Sequence, residues 1–297
     1  MIFNNFQKKI KNKLNYFLET KFNKNIIYGK SYRPLKIKKY PKDNNYWNAI
    51  SLEIERAASS KNEKYFFHNW MVMLHLAGVD YSLGYKFLNK IKNHVLGEEL
   101  LNKCQTPPWG SPFLLKKFPF LSPTTASHLA NIISIHDAFG DKFKNFKNVV
   151  DFGGGYGGLA RCLCEISKNT HINIVDIQRM LKIQKKYIVK TSNFEKRISF
   201  LNNVNLLKGK YCLFNASFSF SEVPLVHRKN IENFIINKCN RLHIIYQDNF
   251  NNMDNIKLMN EFALRLKSKK WKIFFKPYGY GSNSKFIMYG IRISVQK

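Results

Sequence analysis

Two rhythms of apolar spacing meet near residue 120 of the chain. Before that point apolar positions recur at helical spacing. Ile50, Ile54, Ala57 and Ala58 predict a helix over 45–60, and the strongly apolar stretch 65–76 predicts a second, stopped by Gly78. A third covers 81–101, interrupted near Gly97. The run Thr106-Pro107-Pro108-Trp109-Gly110-Ser111-Pro112 then forbids a regular element, because proline lacks a backbone donor and fixes its own backbone angle. Trp109 within it is either an anchor to the core or a platform beside a ligand. Ser122-Pro123-Thr124 has the cap and early proline of a helix N-terminus, and this helix extends to about Phe139.

From Lys147 the pattern changes to short strands alternating with helices. Strands are expected over 148–151, 171–176, 197–201, 211–215, 242–246, 271–275 and 286–295, and helices over 159–167, 179–190, 225–238 and 256–267. The segment between the last two strands is too short for a crossover helix, so that pair is antiparallel. The other units need helical crossovers and so form a parallel sheet covered on both faces. The expected fold class is α/β: a Rossmann-like seven-stranded sheet with a reversed last strand. A mainly helical region, 1–120, precedes the sheet domain, 121–297, and is a candidate substrate wall or dimerisation surface.

The first strand carries the densest chemical signal. Val149-Val150-Asp151-Phe152 is followed by Gly153, Gly154, Gly155, Gly157 and Gly158, and then by an amphipathic helix. Glycines let the backbone turn sharply and a ligand lie against it, while the next helix presents free N–H groups. This is a strand, a nucleotide-binding turn and a helix. Gly153, Gly155 and Gly158 also satisfy the dinucleotide spacing, with Asp176 about where a ribose-binding acid belongs. The helices before residue 120 and the closing antiparallel pair argue against NAD.

Asp151-x-Gly153-x-Gly155-x-Gly157 resembles motif I of the class I S-adenosylmethionine-dependent methyltransferases. A finer resemblance, to the sugar O-methyltransferases of bacterial capsule and lipopolysaccharide loci, rests on four stretches. They are Asp151 to Leu159, Asp176-Ile177-Gln178, Ser219-Phe220-Ser221-Glu222, and Tyr278 to Asn283. The resemblance implies S-adenosyl-L-methionine as cofactor, S-adenosyl-L-homocysteine as product, and a sugar hydroxyl as acceptor. It implies that Gly153, Gly155 and Gly157 admit the methionine part, that Asp151 orients the loop or reaches the amino group, and that Asp176 accepts from the ribose diol. Gln178, Asn203 and Ser217 are further cofactor candidates.

A sugar hydroxyl is a poor nucleophile, so a base is sought at the C-terminal ends of the strands. Glu222, His128 and His227 are the catalytic candidates. Ser219, Ser221, Gln247, Asn249, Tyr278, Tyr280 and Asn283 are the acceptor-binding candidates, the last three on a glycine-rich lid. Asp176 and Asp248 stand too isolated in sequence to define a metal site, and no metal ligand is assigned.

Composition adds less than it first promises. The formal charge is +30 over 297 residues. Lys, Asn, Ile and Phe are all abundant, all have AT-rich codons, and the lysines are spread without a dense block. The charge suits an anionic sugar or sugar-nucleotide substrate, and no stable nucleic-acid partner is expected. The alternatives are an RNA methyltransferase, an NAD-dependent oxidoreductase, and a non-catalytic partner subunit of the same fold. Five cysteines without a CxxC pair fit a reducing cytoplasm and disfavour structural zinc. No apolar run is long enough for a transmembrane segment. Met1 to Lys13 carries Ile2, Phe3, Phe6 and Ile10 on a helical stripe without the features of a signal peptide. The stripe suits packing on its own protein, a homodimer, or a peripheral contact with membrane-associated glycan assembly.

Overall fold

The computed structural model describes residues 46–59, 61–279 and 284–293, so the stripe at Met1 to Lys13 and the lid residues Tyr280 and Asn283 lie outside the described residues. A compact unit runs from Trp47 to the C-terminal end. Its helices are α1 (Tyr46–Ala57), α2 (Trp70–His75), α3 (Tyr81–Lys92), α4 (Gly97–Lys103), α5 (Pro123–Phe139), α6 (Gly158–Ile166), α7 (Gln178–Thr191), α8 (Leu225–Lys238) and α9 (Asn255–Lys267). Its main strands are β1 (Asn148–Phe152), β2 (His171–Val175), β3 (Ile198–Leu201), β4 (Leu213–Ser217), β5 (Arg241–Gln247), β6 (Trp271–Pro277) and β7 (Lys285–Arg292).

The seven strands form one sheet in the order β3-β2-β1-β4-β5-β7-β6. Neighbours from β3 to β5 are parallel, whereas β7 is antiparallel to both β5 and β6. This is the expected Rossmann-like sheet with its last strand reversed. The strand order turns back between β1 and β4, and the crevice outside their carboxyl ends is where such sheets bind ligands.

Local chemistry explains the elements that frame this crevice. The Ser122 hydroxyl accepts from Thr125 N at 3.0 Å and Pro123 occupies the first turn of α5, as the sequence predicts. The apolar faces of the parallel strands meet the helices on either side. Phe214, Phe220, Phe262, Leu242 and Met288 are each at most 1% exposed in the core beneath α8 and α9.

One predicted helix is broken in two. The stretch 65–76 is a 3₁₀ turn over Glu63–His68 followed by α2. Asn69 stands between them with ψ 129°, and its side-chain Oδ1 accepts from Met71 N at 2.9 Å and Val72 N at 3.3 Å. A short polar side chain that satisfies free N–H groups here starts a new helix, outweighing the apolar periodicity around it. The proline-rich loop settles the choice for Trp109. Its Nε1 donates to Glu63 Oε1 at 2.5 Å, and its ring lies 4.9 Å from Phe66 and 5.7 Å from Tyr187, so it anchors the loop.

Candidate functional site around the glycine turn

The chain leaves β1 through Gly153, Gly155 and Gly157, at φ 68°, 59° and 96°. These angles strain any residue with a Cβ, and two of the glycines matter for different reasons. A Cβ on Gly153 would stand 2.1 Å from Ser219 Cβ, so β1 and the segment after β4 close on each other there. A Cβ on Gly155 would meet nothing within 4 Å. The turn is therefore packed at its base and open at its tip, the shape of a backbone cradle.

Three carboxyl groups surround this cradle. Asp151, at 2% exposure, receives a hydrogen bond from Asn215 Nδ2 on Oδ1 at 2.9 Å, while its Oδ2 is buried without a partner. Asp176, just past β2, receives Ile177 N on Oδ1 at 2.8 Å and Gln184 Nε2 on Oδ2 at 2.6 Å. Glu222, after β4, receives Gln247 Nε2 on Oε1 at 3.3 Å and Trp47 Nε1 on Oε2 at 3.1 Å. Burial pushes Asp151 up to about 6 against the Asn215 bond. Burial raises Asp176 to about 7, with the Asp151 charge adding to it and the two N–H donors opposing. Burial likewise raises Glu222 to about 7, with Asp176 adding and Gln247 and Trp47 opposing. The groups bonded to all three are neutral amides, an indole and backbone N–H, and none is a cation. Such a site gains from a ligand that brings positive charge and hydrogen-bond donors.

Gln184 is the member of this site that sequence reasoning missed. It is fully buried on α7, and its amide bonds Gly155 O at 3.0 Å as well as Asp176. Its Oε1 is buried without a partner, so a second unpaired acceptor lies on the residue that braces the open tip. A polar position among the apolar positions of α7 was the available signal. Trp47 was missed too, because the bond joins residues 175 apart in sequence.

The remaining candidates divide. Ser221 is buried and its Oγ bonds Phe218 O at 2.6 Å and Gln247 Oε1 at 3.0 Å, which links Ser221, Gln247 and Glu222 in one chain of contacts. Ser219 Oγ donates to Phe152 O and so braces the base of the turn. Ser217 ends β4 and accepts from Asn131 Nδ2 at 3.3 Å. His128 lies behind the glycine turn, its Nε2 3.2 Å from Tyr156 Oη, and burial with the Arg161 charge lowers it to about 4. A Cβ on Gly158 would strike His128 Nε2 at 2.6 Å, so this ring packs the start of α6.

Tyr278 departs from the expected lid platform. It is 6% exposed, and its hydroxyl donates to Asn131 Oδ1 at 3.0 Å. Its ring packs against Phe218 and Phe87, which makes it a clamp between β6 and α5. Gln178 is exposed on the first turn of α7, and His227 is exposed on the first turn of α8. Asn203 is exposed and its Oδ1 accepts from Asn205 N at 2.9 Å. Asn249 is exposed in a two-residue ribbon after β5.

Among the described residues one group, His94, His136 and Asp137, has ligand atoms close enough to share a metal ion. It lies at the far end of α5. His94 Nδ1 accepts from Leu96 N at 3.2 Å, which puts the ring proton on Nε2, and that nitrogen is 3.2 Å from Asp137 Oδ1. Lys90 Nζ stands 3.6 Å from the other oxygen of Asp137, so a cation already faces this carboxylate. Among the described residues no helix is long and apolar enough to cross a membrane.

No family model and no curated protein matches the chain. Among solved structures the chain is similar to the methyltransferase domain of bacterial CtHen1, at 15% identity over 55% of this chain and 96% of that one, TM-score 0.44. It is also similar to magnesium protoporphyrin IX methyltransferase from Synechocystis PCC 6803 with bound SAM, at 14% identity over 58% and 81%, TM-score 0.42. Human N-acetylserotonin methyltransferase in complex with SAM matches at 14% identity over 75% and 70%, TM-score 0.40. At these scores the likenesses carry no functional argument. The strand order and the reversed β7 themselves define the chain as a Rossmann-like seven-stranded α/β fold.

Proposed function

We propose that this protein transfers a methyl group from S-adenosylmethionine to a sugar hydroxyl. The observation that carries the cofactor is the unpartnered Asp151 Oδ2, 3.2 Å from where a Cβ on Gly154 would stand, in the turn whose next residue is the open, positive-φ Gly155, with three carboxyls around it whose proton affinities are raised. S-adenosylmethionine brings an ammonium, a sulfonium and a ribose diol, which are the charges and donors this site lacks. A dinucleotide would bring an anionic pyrophosphate to the same carboxyls.

In this reading Asp151 and the glycine turn hold the amino-acid end, and Asp176, held by Gln184 and Ile177, takes the ribose hydroxyls. The cofactor supplies an activated methyl group when bound. Glu222 takes the proton of the acceptor hydroxyl, and an affinity near neutrality suits that role because the carboxylate is present yet basic enough to accept. Gln247, itself bonded by the Ser221 hydroxyl, fixes the Glu222 carboxyl from β5. Positioning of hydroxyl and methyl group in line supplies much of the rate. The sugar assignment is supported by the Ser219 to Glu222 stretch and by the hydroxyl-compatible base, and the net charge of +30 favours an acceptor with an anionic part. Incubating the protein with labelled S-adenosylmethionine and a set of nucleotide sugars, lipid-linked sugars, polymeric glycans and RNA tests it. Label on a glycan hydroxyl is expected, and label on RNA alone would replace the acceptor.

A further inference from the structure

Helix α1 ties together two segments that leave the sheet on either side of β1. Its start is tied to the segment after β4 by the Trp47–Glu222 bond. Its end is tied to α7, where Glu55 meets Arg179 Nε at 3.4 Å and Lys182 Nζ at 2.9 Å, and Ala58 O accepts from Lys186 Nζ at 2.7 Å. From Trp47 to Glu55 the helix rises about 12 Å, at ~1.5 Å per residue. The mouths of β4 and β2 flank β1 and lie about 10 Å apart, at ~4.8 Å per strand. The two lengths match, which fits α1 as a roof laid from the segment after β4 to α7, across the mouth of β1. Ile50 and Ile54, both at 0% exposure, seat the helix.

We propose that Trp47 is the positioning residue for Glu222: from this roofing helix its indole N–H holds the carboxyl where an acceptor hydroxyl gives up its proton. The inference rests on the methyl-transfer reading for its catalytic meaning, and on the contacts alone for its geometry. The Glu222 carboxyl is pinned on both oxygens, by Gln247 from the sheet and by Trp47 from the roof. Gln247 is itself fixed by the Ser221 hydroxyl, and the Trp47 ring stands edge-on to His75, 5.9 Å away. Two N–H donors stabilise the carboxylate against the cost of burial, so removing either raises its proton affinity.

The test uses the full chain and needs no acceptor. Infrared titration from pH 5 to 9 follows the protonated-carboxyl band that Glu222→Gln removes. Trp47→Phe keeps an aromatic ring but loses the donor, and should move the midpoint upward by about one pH unit, a tenfold rise in proton affinity. Gln247→Leu should move it the same way with α1 untouched, which shows that the band reports these bonds and not a general loosening of the fold. An unchanged midpoint in Trp47→Phe overturns the proposal. Hydrogen exchange over residues 47–57 with and without S-adenosylhomocysteine tests the roof: added protection is expected, and exchange unaltered by bound ligand overturns it. If S-adenosylhomocysteine does not bind while the midpoint still shifts, the positioning stands and the methyl-transfer reading falls.

Discussion

The Gln184 amide joins Asp176 Oδ2 at 2.6 Å to Gly155 O at 3.0 Å, so one buried side chain sets the distance between the proposed ribose acceptor and the open tip of the glycine turn. Replacing it with leucine keeps most of the volume and removes both bonds. Gln184→Leu should weaken S-adenosylhomocysteine binding by tenfold or more, since a hydrogen bond to a charged group contributes about 1.5–3 kcal/mol. Calorimetric titration reads this directly, and unchanged affinity would reduce Gln184 to a packing residue.

Gly153 and Gly155 should respond differently to the same substitution. Gly153→Ala drives a methyl group into Ser219 and should prevent normal folding. Gly155→Ala meets open space and costs about 1–2 kcal/mol of left-handed backbone strain. It should fold with a lowered melting temperature and bind S-adenosylhomocysteine poorly, because the new Cβ occupies the cradle. Full affinity in Gly155→Ala would place the ligand elsewhere.

The raised carboxyls give the unliganded protein a specific pH dependence. A carboxyl whose folded proton affinity exceeds its unfolded value stabilises the fold at low pH and loses that contribution as pH rises through the folded pKa. For Asp151, Asp176 and Glu222 the loss extends from about pH 4 to about 7. His128 and His243, lowered by burial to about 4 and about 3, act in the opposite sense and lose stability as pH falls below about 6.5. The two effects overlap in acid, so the carboxyl part is isolated by difference. Asp151→Asn should gain stability relative to the parent as pH rises from 4 to 7, by on the order of 2–3 kcal/mol. Melting curves across that range check it, and a constant offset between the two proteins would contradict the assigned burial.

Glu222→Gln should leave S-adenosylhomocysteine affinity within about twofold and reduce methyl transfer by 10²–10⁴, the usual worth of a positioned base. The measurement is initial rate against pH for any acceptor found by the glycan screen. The parent should lose activity below about pH 7 as Glu222 takes its proton. Normal turnover in the variant would remove Glu222 from the proton transfer.

Much of this arrangement was legible in the chain because local rules wrote it. The glycine spacing after Asp151, the Ser122-Pro123 helix start and the missing crossover before β7 are each decided within a few residues. The predicted helix 65–76 failed because Asn69 satisfies its own neighbours' N–H groups, a choice that apolar periodicity does not record. Tyr278 carried the composition of a lid, yet its partner Asn131 lies 147 residues away and turns it into a clamp. Trp47 escaped notice for the same reason, since its contact with Glu222 exists only once the sheet has brought segments 175 residues apart to one edge, whereas Gln184 lies eight residues from Asp176 and was marked only by a polar side chain among the apolar positions of α7.

The central claim is that the carboxyl-ringed glycine turn seats a cationic methyl donor, and one calorimetric comparison tests it most directly. S-adenosylmethionine and S-adenosylhomocysteine should each bind at one site per chain, Asp176→Ala should weaken both sharply, and NAD should not compete. Binding of NAD with no binding of either sulfur nucleoside would contradict the account.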